Sequence, residues 1–286
     1  MNLHSSAAVL TGLLCTAALT VALSSNGTAQ EKPKHPVFTV KGGWVPDRPT
    51  GDDFLLAPDS VGTPVVSDPK YPYVPNGGGR QSTYRVADLS NPILQDWAKE
   101  KMKTANEAVL AGKVPYITRE RCWPAGVPGF AVYTRGGQPL NWIHTAEAVV
   151  MVNELNQQTR HIYLNVPHTA NPKPSWYGES VGHYEGDELV VDTIGMNDRT
   201  FVDNYRTPHS DKIHVVERFK LIEGGKTLQV TFKVDDPGAF TMPWTGVQRF
   251  RRVEDRPMIE NLCELSNDSF FENEVTLFPQ DNSPDF

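Results

Sequence analysis

Five of the eight histidines, His161, His168, His183, His209 and His214, fall between Arg160 and Glu217, the richest stretch of the chain in groups that move protons or hold metals. His168 and His209 each follow a proline and precede a hydroxyl residue, Thr169 and Ser210. Imidazoles titrate near neutral pH, so two of them on loops facing one mouth are candidates for proton exchange with a substrate. Glu217 sits in an apolar alternating run, Ile213-His-Val-Val-Glu-Arg-Phe219. Residues two apart on a strand share a face, which groups Glu217 with Ile213, Val215 and Phe219, and His214 with Val216 and Arg218. A carboxylate on an apolar wall needs a partner or a raised pKa, and either makes it a candidate acid or base. Asp192, ending Leu189-Val-Val-Asp192, follows the same logic, and Asp203 lies in the polar loop between these runs.

Several chemistries lack their residues. Gly77-Gly-Gly-Arg80 has no strand-to-helix context for a phosphate or dinucleotide loop. No Gly-x-Ser-x-Gly elbow is present, and Ser180 and Ser210 show no triad order. What remains is cofactor-independent acid–base chemistry of the lyase or isomerase type. His168 or His209 is then the base, Glu217 or Asp203 its acid or orienting partner, and Tyr163 a hydrogen-bond donor to the substrate. Arg160 or Arg218 would hold developing negative charge, with Trp176, Asn197 and Trp244 as further substrate contacts. The aromatic residues favour a small apolar or aromatic molecule. Two alternatives stay open: a non-catalytic carrier of a small hydrophobic ligand, and a hydrolase or oxygenase using zinc or iron on His168, His209 and His214. Against the metal set, His214 and Glu217 point to opposite faces of a regular strand.

These residues need a scaffold, and the strand pattern supplies one. Ser180–Tyr184 and Leu189–Thr193, separated by Glu185-Gly-Asp-Glu188, form a hairpin signal. Further strands are expected over 146–154, 159–164, 213–222, 227–235, 246–253 and 258–264, joined by tight turns without intervening helices. Sequential hairpins predict a mainly β protein, an antiparallel up-and-down barrel of about eight strands whose closure removes its exposed edges. A helix is expected over 90–112, capped at Ser90 with Pro92 in its first turn and Gly112 at its end. Residues 30–89, rich in Pro, Gly and Asp, predict an extended arm ahead of a barrel domain over 90–286.

The chain has 286 residues with a formal charge of −7 and no concentrated Lys or Arg excess, which argues against nucleic acid. Residues 1–29 carry no Lys, Arg, Asp or Glu, and the apolar segment Ala7–Leu23 leads to Gly27 and Ala29. This predicts a signal peptide, a periplasmic or secreted product, and no membrane span after processing. Cys15 leaves with the signal, so an oxidising compartment predicts a Cys122–Cys263 disulfide. It closes a loop worth up to about 4 to 5 kcal/mol in the chain-entropy account.

The motifs taken together are specific. Cys122-x-Pro-x-Gly-x-Pro128, Arg160-x-Ile-Tyr-Leu164, Pro167-His168, Ser180-Val-Gly-x-x-Glu-Gly-Asp-x-Leu-Val-Val-Asp-Thr193, Pro208-His-Ser210 and Val215-x-Glu-Arg-Phe219 resemble those of a family of exported bacterial proteins. The resemblance covers residues from about 90 to 265. It implies export and a lipocalin-like barrel, and it brings no particular activity.

Overall fold

The computed structural model describes residues 36–39, 42–47, 62, 64–72, 85–113, 118, 122–132, 139–154, 157–254 and 256–261. Nine strands close a barrel in sequence order: β1 Trp44–Pro46, β2 Leu140–His144, β3 Ala148–Asn153, β4 Gln158–Leu164, β5 Glu179–Glu185, β6 Glu188–Ile194, β7 His214–Ile222, β8 Thr227–Asp235 and β9 Trp244–Arg252. The mainly β architecture and its closure agree with the strand pattern. The number of strands and their uniform direction do not. Nine strands alternating up and down around a ring return out of phase, so one neighbouring pair must run parallel. That pair is β4–β5, joined only at Tyr163↔Val181 and Leu164↔Gly182. Parallel neighbours need a crossover of about a dozen residues or more, and Asn165–Gly178 is long enough to carry the chain back to the starting end.

The two strands missing from the sequence pattern are β1 and β2. β1 is three residues long, inside the segment read as an arm, and it closes the ring by pairing with both β2 and β9. β2 alternates as expected for a wall, with Leu140 and Trp142 buried and Ile143 exposed. In the other direction, residues 258–261 of the expected last strand are irregular, and the rest of that run lies outside the described residues.

Alternation fills the barrel. Inward positions carry Trp142, Met151, Ile162, Val191, Phe219, Val230, Phe232, Trp244 and Phe250, all buried. Phe38 packs among them, its ring centroid 5.1 Å from Trp142, and Trp142 meets Phe219 at 5.0 Å edge-on. The Trp44 indole N–H donates to the Phe38 carbonyl at 2.7 Å, tying this early segment to the wall.

The helix is shorter than its sequence signal. α1 spans Asp96–Leu110, with Gln95 rather than Ser90 at its N-cap. Asn91 Oδ1 accepts the Ile93 N–H, while Gln95 N–H donates to Ala239 O and Thr241 N–H to Ile93 O. The side-chain turn and these bonds to the β8–β9 connection hold residues 91–95 outside the helix. A further helical turn, α2, covers Gly129–Val132 and is buried throughout.

Candidate functional site

The parallel junction shapes the candidate site. Since β4 and β5 pair through two residues only, the two strands are not laddered at residues 158–161, where β4 faces Gly178 to Ser180. Side chains bridge the gap instead: Arg160 Nε and Nη2 donate to Ser180 Oγ at 3.2 and 3.1 Å, and the Tyr177 hydroxyl donates to Gln158 Oε1. Burial pushes the Tyr177 phenol well above its ordinary pKa. The connecting loop folds back over the gap and leaves a cleft of about 350 Å3. Thr159, His161 and Tyr163 line it from the outer face of β4, Arg160, Tyr177 and Ser180 from the inner side, and Thr169, Pro172, Lys173, Gly178 and Glu179 from the loop and the start of β5.

Two glycines make this junction possible. A Cβ on Gly182 would stand 2.9 Å from Ile162 Cγ2, so a larger residue would push β5 away from β4. Gly178 has φ +62° and its Cβ would lie 2.3 Å from the Ile194 carbonyl oxygen, a conformation and a contact that only glycine accepts without strain.

Arg160 and Glu217 form an ion pair inside the barrel, Nη2 to Oε2 at 2.5 Å, with both side chains 0% exposed. The guanidinium also donates to Thr193 Oγ1 at 2.9 Å. Glu217 therefore lies on the inner wall, as alternation requires, but as a locked counter-ion and not among the cleft residues. Its Oε1 and the Arg160 Nη1 have no hydrogen-bond partner among the described residues.

On the outer face, carboxylates and imidazoles alternate. His168 Nδ1 meets Glu179 Oε1 at 3.0 Å, His168 Nε2 meets Asp192 Oδ1 at 2.9 Å, and His214 Nε2 meets the same Asp192 oxygen at 2.9 Å. The two ring nitrogens of His168 thus link Glu179 on β5 to Asp192 on β6. The Thr169 N–H donates to Glu179 at 2.8 Å. Partial burial raises the Glu179 pKa, but the hydrogen bonds from Thr169 and His168 outweigh it and hold the carboxyl below its usual range.

The remaining expected residues are placed elsewhere. His209 is buried, with Nδ1–H donating to the Ser210 carbonyl at 2.9 Å and Nε2 accepting from Thr200 Oγ1 at 2.7 Å. Burial lowers its pKa, which makes it a neutral structural histidine rather than an exposed base. Asp203 is buried too and organises a turn, accepting the Tyr205 and Thr207 amides at 2.8 and 3.1 Å and the Thr207 hydroxyl at 2.6 Å. Burial raises its pKa to about 6. Arg218 lies on the outer face, paired with Glu185 at 2.7 Å and Glu188 at 3.1 Å. Trp244 is core, edge-on to Phe232 and Phe240. Trp176 packs edge-on to Trp123, under the Arg199 guanidinium at 6.0 Å. Asn197 accepts the Arg199 amide in a turn. Of the ten expected site residues, only Arg160 and Tyr163 line the cleft.

The zinc or iron set fares similarly. His168 and His214 meet at Asp192 on the outer face, whereas His209 is enclosed by Thr200 and Ser210. Among the described residues no group of three or more His, Cys, Asp or Glu side chains is arranged to hold a metal ion. No helix among them is long and apolar enough to cross a membrane. Cys263 and the residues read as a signal peptide lie outside the described residues, and with them the expected disulfide and cleavage site.

Sequence reasoning gave no particular role to His161, Lys173 or Glu179. His161 and Tyr163 carry one available signal, since they share the outer face of a strand whose inner face holds Arg160. Glu179 and Lys173 carry none, because their approach to β4 depends on the parallel return of the loop. Comparison of the chain with protein-family models, curated proteins and solved structures finds no match.

Proposed function

We propose that this chain is an exported enzyme that carries out cofactor-independent acid–base chemistry, of the lyase or isomerase type, on a small molecule held in the β4–β5 cleft. The observation that carries the reading is the gathering of an imidazole, a phenol and an ionised carboxylate in one cleft: His161, Tyr163 and Glu179. His161 acts as the base and Tyr163 donates a hydrogen bond to the substrate. Glu179, fixed by His168 and the Thr169 amide, stabilises the imidazolium as it forms. His168 is then a positioning residue, since it reaches the cleft through Glu179. Arg160 supplies positive charge at the inner wall. The packed barrel interior argues against a carrier that encloses its ligand there, because Trp142, Phe219, Phe232 and Trp244 occupy that space.

The test is turnover of small molecules extracted from the native host by the purified mature protein, followed by mass spectrometry for isomerised or eliminated products. Conversion should survive exhaustive chelation and fall by about 10²-fold or more in His161→Gln and in Glu179→Gln, the usual weight of a general acid–base group. Undiminished conversion in both variants would sink the assignment.

A further inference from the structure

The barrel leaves part of one strand edge open. The Leu164 N–H donates to the Glu147 carbonyl, which sets the phase of the β3–β4 ladder, so that Gln158, Arg160 and Ile162 also turn their backbone groups to β3. Backbone groups alternate in direction along a strand, and Thr159, His161 and Tyr163 therefore turn theirs towards β5. The Asn165 N–H keeps the same phase and donates to the Gly182 carbonyl. Of these, Tyr163 belongs to the short ladder with β5, at Tyr163↔Val181. The N–H and C=O groups of Thr159 and His161 face the cleft with no ladder partner on that side among the described residues. Both residues are exposed. Main-chain donors and acceptors left open along a strand edge are a template for a further extended chain.

Resting on the proposed reading of the cleft, we infer that its substrate is a short peptide, bound in extended form as an added strand against Thr159 and His161 of β4. The repeat of one donor and one acceptor at every second residue is the pattern that another extended main chain answers. A chain of about three residues, at about 3.3 Å each, covers the edge from Thr159 to His161. The cleft of about 350 Å3 suits a ligand of that size. Arg160 and Tyr177 close it from beneath through Ser180 and Gln158, and the added chain lies above these bonds. The ladder at Tyr163 and Leu164 shuts the gap at one end and the returning loop covers it, which selects a free short peptide over an internal stretch of a folded protein.

The inference is tested with a library of acetylated, amidated tripeptides, titrated at millimolar concentration into isotopically labelled mature protein and followed by NMR and amide hydrogen exchange. At least one member should bind, with shifts at Thr159–His161 and Gly178–Ser180. Strand addition gives hydrogen exchange an alternating signature. The Thr159 and His161 amides should slow by about tenfold or more on binding as they gain partners, while those of Arg160 and Ile162, already turned to β3, should change little. Methylating the peptide nitrogens one at a time should weaken the best binder by about tenfold in at least one position, the scale of a hydrogen bond lost with its acceptor left unpaired. In the protein, Thr159→Pro removes a donor that the β3 ladder does not use and should weaken the same peptide several-fold. No binding by any tripeptide, binding without protection of Thr159 and His161, indifference to every N-methylation, or indifference to Thr159→Pro each overturn the inference. The two readings fail separately. Peptide binding with full turnover in His161→Gln and Glu179→Gln removes the acid–base assignment alone. Turnover lost in those variants with no tripeptide bound removes the peptide alone.

Discussion

At the scale of single residues, burial decides which candidates are free to react. Glu217 has the residue type and the inward direction expected of an acid or base, but its carboxylate is held by Arg160 at 2.5 Å with both side chains enclosed. Breaking a buried pair strands a charge, at a cost of roughly 3 to 5 kcal/mol, whereas removing both partners costs far less than the sum. Glu217→Ala should therefore lower unfolding stability by about that amount. An Arg160→Met, Glu217→Leu double variant should lose clearly less than the two single losses combined, by urea denaturation. Additive losses would mean that the pair is not coupled.

Among elements, the β4–β5 junction carries the site, and its geometry depends on glycine. Gly178 and Gly186 both have φ +62°, but a Cβ on Gly178 meets the Ile194 carbonyl at 2.3 Å while one on Gly186 meets nothing within 4 Å among the described residues. The conformational cost is shared, on the order of 1 kcal/mol, and the collision is not. Gly178→Ala should destabilise the protein by at least about 1 kcal/mol more than Gly186→Ala, measured by chemical denaturation. Equal losses would show that β5 can shift away from β4 without penalty, and the cleft would then not be a fixed feature.

Over the whole molecule, buried titratable groups oppose one another in their pH dependence. His209 and His144 have pKa values lowered by burial. Their contribution to stability is present above the unfolded value near 6.5 and is lost as pH falls towards the folded values. Asp203 is raised from 3.8 to about 6, so its contribution is fully present below pH 3.8 and is lost as pH rises through 6. The shift corresponds to a loss on the order of 3 kcal/mol by pH 7. Asn at this position keeps an acceptor for the Tyr205 and Thr207 amides and has no carboxylate to ionise. Relative to the unaltered protein, Asp203→Asn should gain stability steadily between pH 4 and pH 7, read as the difference in Tm. A constant difference over that range would contradict the raised pKa.

The sequence by itself determined the alternating walls. Period-two patterning put Glu217 and His214 on opposite faces, the Glu185–Glu188 turn set the register Ser180↔Thr193, and closure followed from strands linked without helices. Strands as short as Trp44–Pro46, with no visible alternation of their own, acquire their place only by pairing with distant β2 and β9. His209 and Asp203 stand in loops, where residue type carries no information about burial, and Trp244 opens β9 facing the core; burial makes all three supports of the fold. The cleft was decided by tertiary structure alone. An odd number of strands forces one parallel pair, the loop Asn165–Gly178 makes the return, and only that return brings Lys173 and Glu179 to Arg160, His161 and Tyr163.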